Sequence, residues 1–148
     1  MAKRRSIQKR AKGVEVKVQQ YLWPDSFFAG NAKRPAHESQ DVCGPSSFGE
    51  YLWGEVKNNN IAKGGLYSIL DGAYEQCVAA IERDSEICVN KIPVPFSVIW
   101  PVGSRSWGQR LVLFKPPDYK LRIILTLEQF KENYIGDWVS PRDWGLIR

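Results

Sequence analysis

The chain has 148 residues, of which 43% are hydrophobic, and it carries six Trp, six Tyr and six Phe. That is the size and content of one domain with a substantial core. No run stays apolar for the ~20 residues of a membrane-spanning helix, and no apolar signal core follows the basic start, so the expectation is a soluble protein working in the cytoplasm. The three cysteines, Cys43, Cys77 and Cys88, are odd in number and form no CxxC pair; this argues against a disulfide framework or a zinc module and for reduced thiols. The net charge is +5, and six of the first twelve residues (Lys3, Arg4, Arg5, Lys9, Arg10 and Lys12) are basic with no acid among them. Such a segment suits a polyanion, most often nucleic acid, or is simply a solvated terminus.

In chain order, Ile7, Ala11, Val14, Val18 and Leu22 recur at helical spacing, predicting a helix over about Ser6 to Leu22 that Trp23-Pro24 ends. Ser26 to Ala29 reads as a short strand and is followed by a basic polar run through Lys33, Arg34 and His37. Gln40 to Cys43 is a brief extended segment closed by Gly44-Pro45, a turn signal. Tyr51 to Lys57, aromatic and aliphatic, is a strand broken by Asn58-Asn59-Asn60. After Gly64-Gly65 a second helix runs from Leu66 to Arg83, with Leu66, Ile69, Leu70, Ala73, Cys77, Ala80 and Ile81 on its apolar stripe. Val94 to Trp100 and Arg110 to Lys115 flank a Gly-Ser-Arg-Ser-Trp-Gly turn as a hairpin, Leu121 to Thr126 is a further strand, and Leu127 to Tyr134 is a closing helix. The fold class is therefore α/β, a single domain over residues 1–148 with a mixed β-sheet flanked by helices and a basic segment at 1–12.

The chemistry concentrates near the middle. In the strand Tyr51 to Lys57, Glu55 and Lys57 share a face because strand side chains alternate. Alone, an E-x-K of this kind is common and reads equally as an exposed ion pair. Asp41 lies on the preceding extended segment; if the two segments pair, it converges with Glu55 near one edge. Two close carboxylates repel unless a cation lies between them, and Asp and Glu oxygens with retained waters suit Mg²⁺. Such a cation can generate hydroxide and polarise a phosphodiester, with Lys57 placed to hold the attacking water or offset developing charge.

These residues resemble the PD-(D/E)xK nuclease superfamily. The wider layout is similar to the small Holliday junction resolvases of archaea and bacteriophages: the start from Lys9 to Glu15, the stretch Gln40-Asp41-Val42-Cys43-Gly44-Pro45, and Trp53-Gly54-Glu55-Val56-Lys57-Asn58. The resemblance implies a restriction-endonuclease-like core. It implies Asp41 and Glu55 as ligands of Mg²⁺ (or Mn²⁺) together with the backbone carbonyl of Val56, and Lys57 as the catalytic lysine. It also implies a homodimer that cuts branched double-stranded DNA in recombination, in a bacterial or phage-infected cell. Members often add an acid from the first helix; Glu15 is the only acid there and is read either as that acid or as a solvated helix residue. The chain departs from the pattern at Gln40, which stands where the name-giving proline would be, and at Lys17, near the position where an acid from the first helix is most expected.

Lys33, Arg34 and Lys63 flank the centre in sequence and join the basic N-terminal residues as candidate DNA contacts. His37 is the only histidine and has no nucleophile–base arrangement around it. Gly64-Gly65 lacks a phosphate-loop pattern. Trp138 and Trp144 are candidates for a dimer surface, where aromatics are enriched. A nuclease of other specificity (nickase, repair or restriction-like) and a non-catalytic DNA-binding module are the competing readings.

Overall fold

The structure, a computed structural model, describes residues 13–26, 40–58, 65–101 and 109–148. The basic segment 1–12, the strand expected to continue beyond Ser26, Lys33, Arg34, His37, Lys63 and the turn at 103–108 lie outside the described residues.

The first described element is a helix, here α1, over 13–22. It ends at Leu22 as the Trp23-Pro24 pair requires, and a 3-10 turn at Pro24–Ser26 follows, so Ser26 belongs to a turn rather than a strand. Next come β1 (Val42–Pro45), β2 (Tyr51–Lys57), α2 (Leu66–Arg83), β3 (Val94–Ile99), β4 (Leu111–Phe114), β5 (Ile123–Thr126), α3 (Leu127–Tyr134) and α4 (Pro141–Trp144). The strands form one five-stranded sheet in the order β1-β2-β3-β4-β5. The β2–β3 ladder is parallel and the other three are antiparallel. The eighteen-residue α2 supplies the crossover that a parallel pair needs. The expected α/β single domain with a mixed sheet is what forms.

Strand alternation divides the core in two. Val42, Leu52, Val56, Phe96, Val98, Val112 and Phe114 face α1 and α3, where Val14, Val18, Leu22, Leu127 and Phe130 meet them. On the other face Cys43, Tyr51 and Trp53 pack against Cys77 and Ile81 of α2 and against Leu146 and Ile147 near the C-terminus. Gly54 is needed where it stands, because a Cβ there would overlap the Phe96 ring.

The expected turn at Gly44-Pro45 is corrected. Gly44 and Pro45 do not turn the chain; they are the last residues of β1. The Trp23 indole lies where a Gly44 side chain would be. β1 is the end strand of the sheet, and Pro45 occupies a position where no ladder N–H is required. The reversal comes later, where the Ser46 hydroxyl accepts the N–H groups of Phe48 and Glu50. Trp138 and Trp144 are half-buried within their own chain, Trp144 against Tyr51 at 5.7 Å between ring centroids. They pin the C-terminal segment to the sheet. That segment, with α4 capped by Ser140 and ended by Gly145 in the left-handed region, was not legible as an element. Cys43, Cys77 and Cys88 are all free thiols.

Candidate active site

The centre forms where β1 stops and β2 continues. The β1–β2 ladder pairs Val42 with Gly54, and the Asp41 N–H still donates to the Gly54 carbonyl at 3.1 Å. Two residues further along β2, the Val56 N–H has no ladder partner on that side; it donates instead to Asp41 Oδ2 at 2.9 Å. The Asp41 carboxylate thus takes the place of the next backbone acceptor. This fixes it at the strand's end, on the same side of the sheet as Glu55 by alternation. A residue's N–H and C=O point the same way in a strand, so the Val56 carbonyl is also aimed to the Asp41 edge.

Glu55 is half-buried and hydrogen-bonded to Asp41. Its carboxyl is pushed up to about 8, first by burial, then by the hydrogen bond to Asp41 and its charge, with Lys57 opposing and Glu15 adding to the rise. Glu55 therefore keeps its proton well above the ordinary carboxylate range, beside the Asp41 carboxyl group that the fold holds against it. Lys57, two residues on and on the same face, tempers the negative charge without cancelling it. Glu15 is half-buried on α1 and near enough for its charge to act on Glu55.

Gln19, one turn after Glu15, explains that placement. Its buried amide clamps the outer edge of β1: Nε2 donates to the Cys43 carbonyl at 2.7 Å and Oε1 accepts the Cys43 N–H at 2.9 Å. Residues four apart share a helix face, so the clamp that ties α1 to β1 also turns Glu15 toward the Asp41 end. Trp23 adds a second tie, its Nε1 donating to the Pro45 carbonyl at 3.0 Å. Beneath the centre, the Cys77 thiol donates to the Trp53 carbonyl at 2.9 Å and burial keeps it protonated. Gln40, also buried, donates to Cys43 Sγ. Sequence reasoning passed over Gln19 and read Cys77 only as a reduced thiol on the apolar stripe of α2. The one available signal for Gln19 was a polar residue beside the apolar stripe of α1 at the spacing that follows Glu15.

Asp41, Glu55, Lys57 and Glu15 are therefore brought together, with Val56 presenting backbone groups to them. Among the described residues no group of three or more His, Cys, Asp or Glu has metal-holding geometry. The donor set on offer is the Asp41–Glu55 pair and the Val56 carbonyl. One or two carboxylates supplemented by waters is the usual protein share of a Mg²⁺ site, so the residues present fit such an ion. Among the described residues no helix is long and apolar enough to cross a membrane. No family model, no curated protein and no solved structure matches the chain.

Proposed function

We propose that the protein is a divalent-cation-dependent endonuclease that hydrolyses DNA phosphodiesters, acting on four-way junctions. The observation that carries the reading is the carboxylate pair at the end of β1 and β2. Asp41 is fixed by the Val56 N–H and hydrogen-bonded to Glu55, with Lys57 on the same face. Burying two acids side by side is costly for a structural role and fits one that needs a cation. Asp41, Glu55 and the Val56 carbonyl would hold Mg²⁺ or Mn²⁺, which would supply a water of lowered pKa and neutralise charge on the phosphodiester. Lys57 orients the attacking water and offsets charge as the phosphorus–oxygen bond breaks. Glu15 adds a carboxylate at the margin of the centre.

The junction substrate and a homodimer in a bacterial or phage-infected cell rest on the resemblance of the Asp41 to Pro45 and Trp53 to Asn58 stretches to the small resolvases. The net charge of +5 suits any nucleic-acid substrate. The test is cleavage of a labelled four-way junction beside a linear duplex of the same sequence, with and without Mg²⁺. The expected result is paired cuts near the branch that need the cation and fall roughly 10²–10³-fold in Asp41→Asn, Glu55→Gln and Lys57→Ala. Equal cutting of both substrates would remove the junction preference and keep the nuclease. No cutting by folded, cation-supplied wild type would leave a binding module.

A further inference from the structure

The sheet has two edges, and the fold treats them differently. The outer backbone groups of β1 are taken by side chains. Gln19 holds the Cys43 N–H and carbonyl, Pro45 has no N–H, and the Pro45 carbonyl accepts from Trp23 Nε1. The opposite edge is β5. Here the Leu127 N–H donates to the Arg110 carbonyl at 2.8 Å, in register with the Leu111–Thr126 pair. Backbone direction alternates along an antiparallel strand. Ile123 and Leu125 therefore bond to β4, while Ile124, Thr126 and, just before the strand, Arg122 turn their N–H groups outward. The Thr126 N–H is closed by Gln129 Oε1 in the capping box of α3. Among the described residues nothing closes the outward groups of Arg122 and Ile124.

The side chains along this edge are apolar and open. Of the six large hydrophobic side chains exposed among the described residues, Ile124 is on β5, Tyr119 and Leu121 lead into it, and Tyr67 is on α2. Tyr67 stands one helical turn from Asp71, which holds the Arg122 guanidinium at 2.8 Å, so α2 presents it on the stripe that meets β5. An open strand edge beside an apolar patch is a template for another strand.

The edge is complementary to itself. With Thr126 closed, the antiparallel alignment that uses every open group has its two-fold axis at Ile123. On each side of that axis Arg122 exchanges both backbone bonds with the partner's Ile124. On the face toward α3, Ile123 meets the partner's Ile123, and the exposed Leu121 meets the partner's Leu125. On the face toward α2, Ile124 meets the partner's Arg122, whose charge Asp71 already balances. Lys120 comes opposite the partner's Thr126, beside the acidic first turn of α3 at Glu128. Like charges do not face each other in this alignment, and aliphatic cross-strand pairs stabilise it.

We propose that β5 pairs with β5 of a second copy, joining two sheets into one across a two-fold axis at Ile123. β3 and β4 separate this seam from β2, so the Asp41–Glu55 pair of each protomer stays clear of it and one particle carries two candidate centres. What the dimer is for rests on the nuclease reading; the seam does not, and its test needs no cleavage. Sedimentation equilibrium of the full chain without nucleic acid should give twice the protomer mass of 16.9 kDa. Ile124→Lys sets an ammonium against the partner's Arg122 on both sides of the axis and should raise the dimer Kd at least ~10-fold. That side chain is exposed, so the fold is not at stake. The alignment itself is read by cross-linking. Opposed residues that exchange no backbone bonds have Cα atoms about 4.5 Å apart, within reach of a disulfide. In a Cys88→Ser background, Ile123→Cys should therefore form an intermolecular disulfide on mild oxidation, and Leu125→Cys, which faces the partner's Leu121, should not. A protein that stays monomeric, a dimer indifferent to Ile124→Lys, or equal cross-linking of the two cysteine variants would overturn the proposal. A dimer of this alignment that cuts no DNA would remove the nuclease reading alone; a monomer that cuts would remove the seam alone.

Discussion

The two halves of β2 have opposite characters. Tyr51, Leu52 and Trp53 are 0–1% exposed, enclosed by β1, β3 and the elements on both faces. Glu55 and Lys57, only two and four residues beyond Trp53, are half-exposed and charged. What changes between them is the ladder. β1 covers β2 as far as Gly54, while β3 continues beside it to Lys57. Where the backbone neighbour ends, a side chain, Asp41, replaces it on the Val56 N–H. A buried strand thus ends in a position that has one open side, and acids placed there are held firmly yet remain within reach of solvent. Sites supported in this way by regular elements are more exact than sites built on loops.

This contrast is broken most severely from the buried half. Trp53→Ala should cost about 3–5 kcal/mol, which lowers the melting temperature by roughly 10 °C or more in a domain of this size. Calorimetric unfolding would read it. Asp41→Asn and Glu55→Gln should leave the unfolding transition cooperative while removing cleavage. A carboxylate variant that unfolds the domain would place both halves of β2 in the core.

Gln19→Leu comes next. It leaves the Cys43 N–H and carbonyl, both buried, without their partner, and each such group costs about 1–3 kcal/mol. The melting temperature should fall, and any cleavage should drop further than stability explains, because Glu15 loses its placement. Unchanged activity in a folded Gln19→Leu protein would detach Glu15 from the centre.

The smallest effect is a pH dependence. The folded state binds the Glu55 proton more tightly than the unfolded chain, whose ordinary value is 4.5, and holds it up to about 8. The stabilising contribution is therefore complete below 4.5 and is lost as pH rises from there through about 8. Without divalent cation, the melting temperature of Glu55→Gln relative to wild type should rise between pH 5 and pH 9. A difference independent of pH would mean that Glu55 is charged throughout.

Much of this molecule was legible in the chain, and the rest was hidden for identifiable reasons. Tyr51 to Lys57, Leu66 to Arg83 and Leu127 to Tyr134 have strong periodicity or composition, and the elements form within those bounds. The pairing of the segments that carry Asp41 and Glu55 was only a condition in the sequence, and the β1–β2 ladder meets it. Gly44-Pro45 misled because turn chemistry was read without the Trp23 ring, which arrives from 21 residues upstream and makes the glycine a packing requirement. The Gln19 clamp was invisible because a glutamine in a helix carries no local sign that its partner is a strand edge.

The most direct test of the account is a calorimetric titration of Mg²⁺ or Mn²⁺ into the wild-type protein and into Glu55→Gln. Wild type should bind the ion saturably, should release a proton below about pH 8 so that the heat varies with buffer, and should lose that binding in the variant. Absence of saturable binding to folded wild type, or equal binding to Glu55→Gln, would contradict the assignment of the Asp41–Glu55 pair as a cation site.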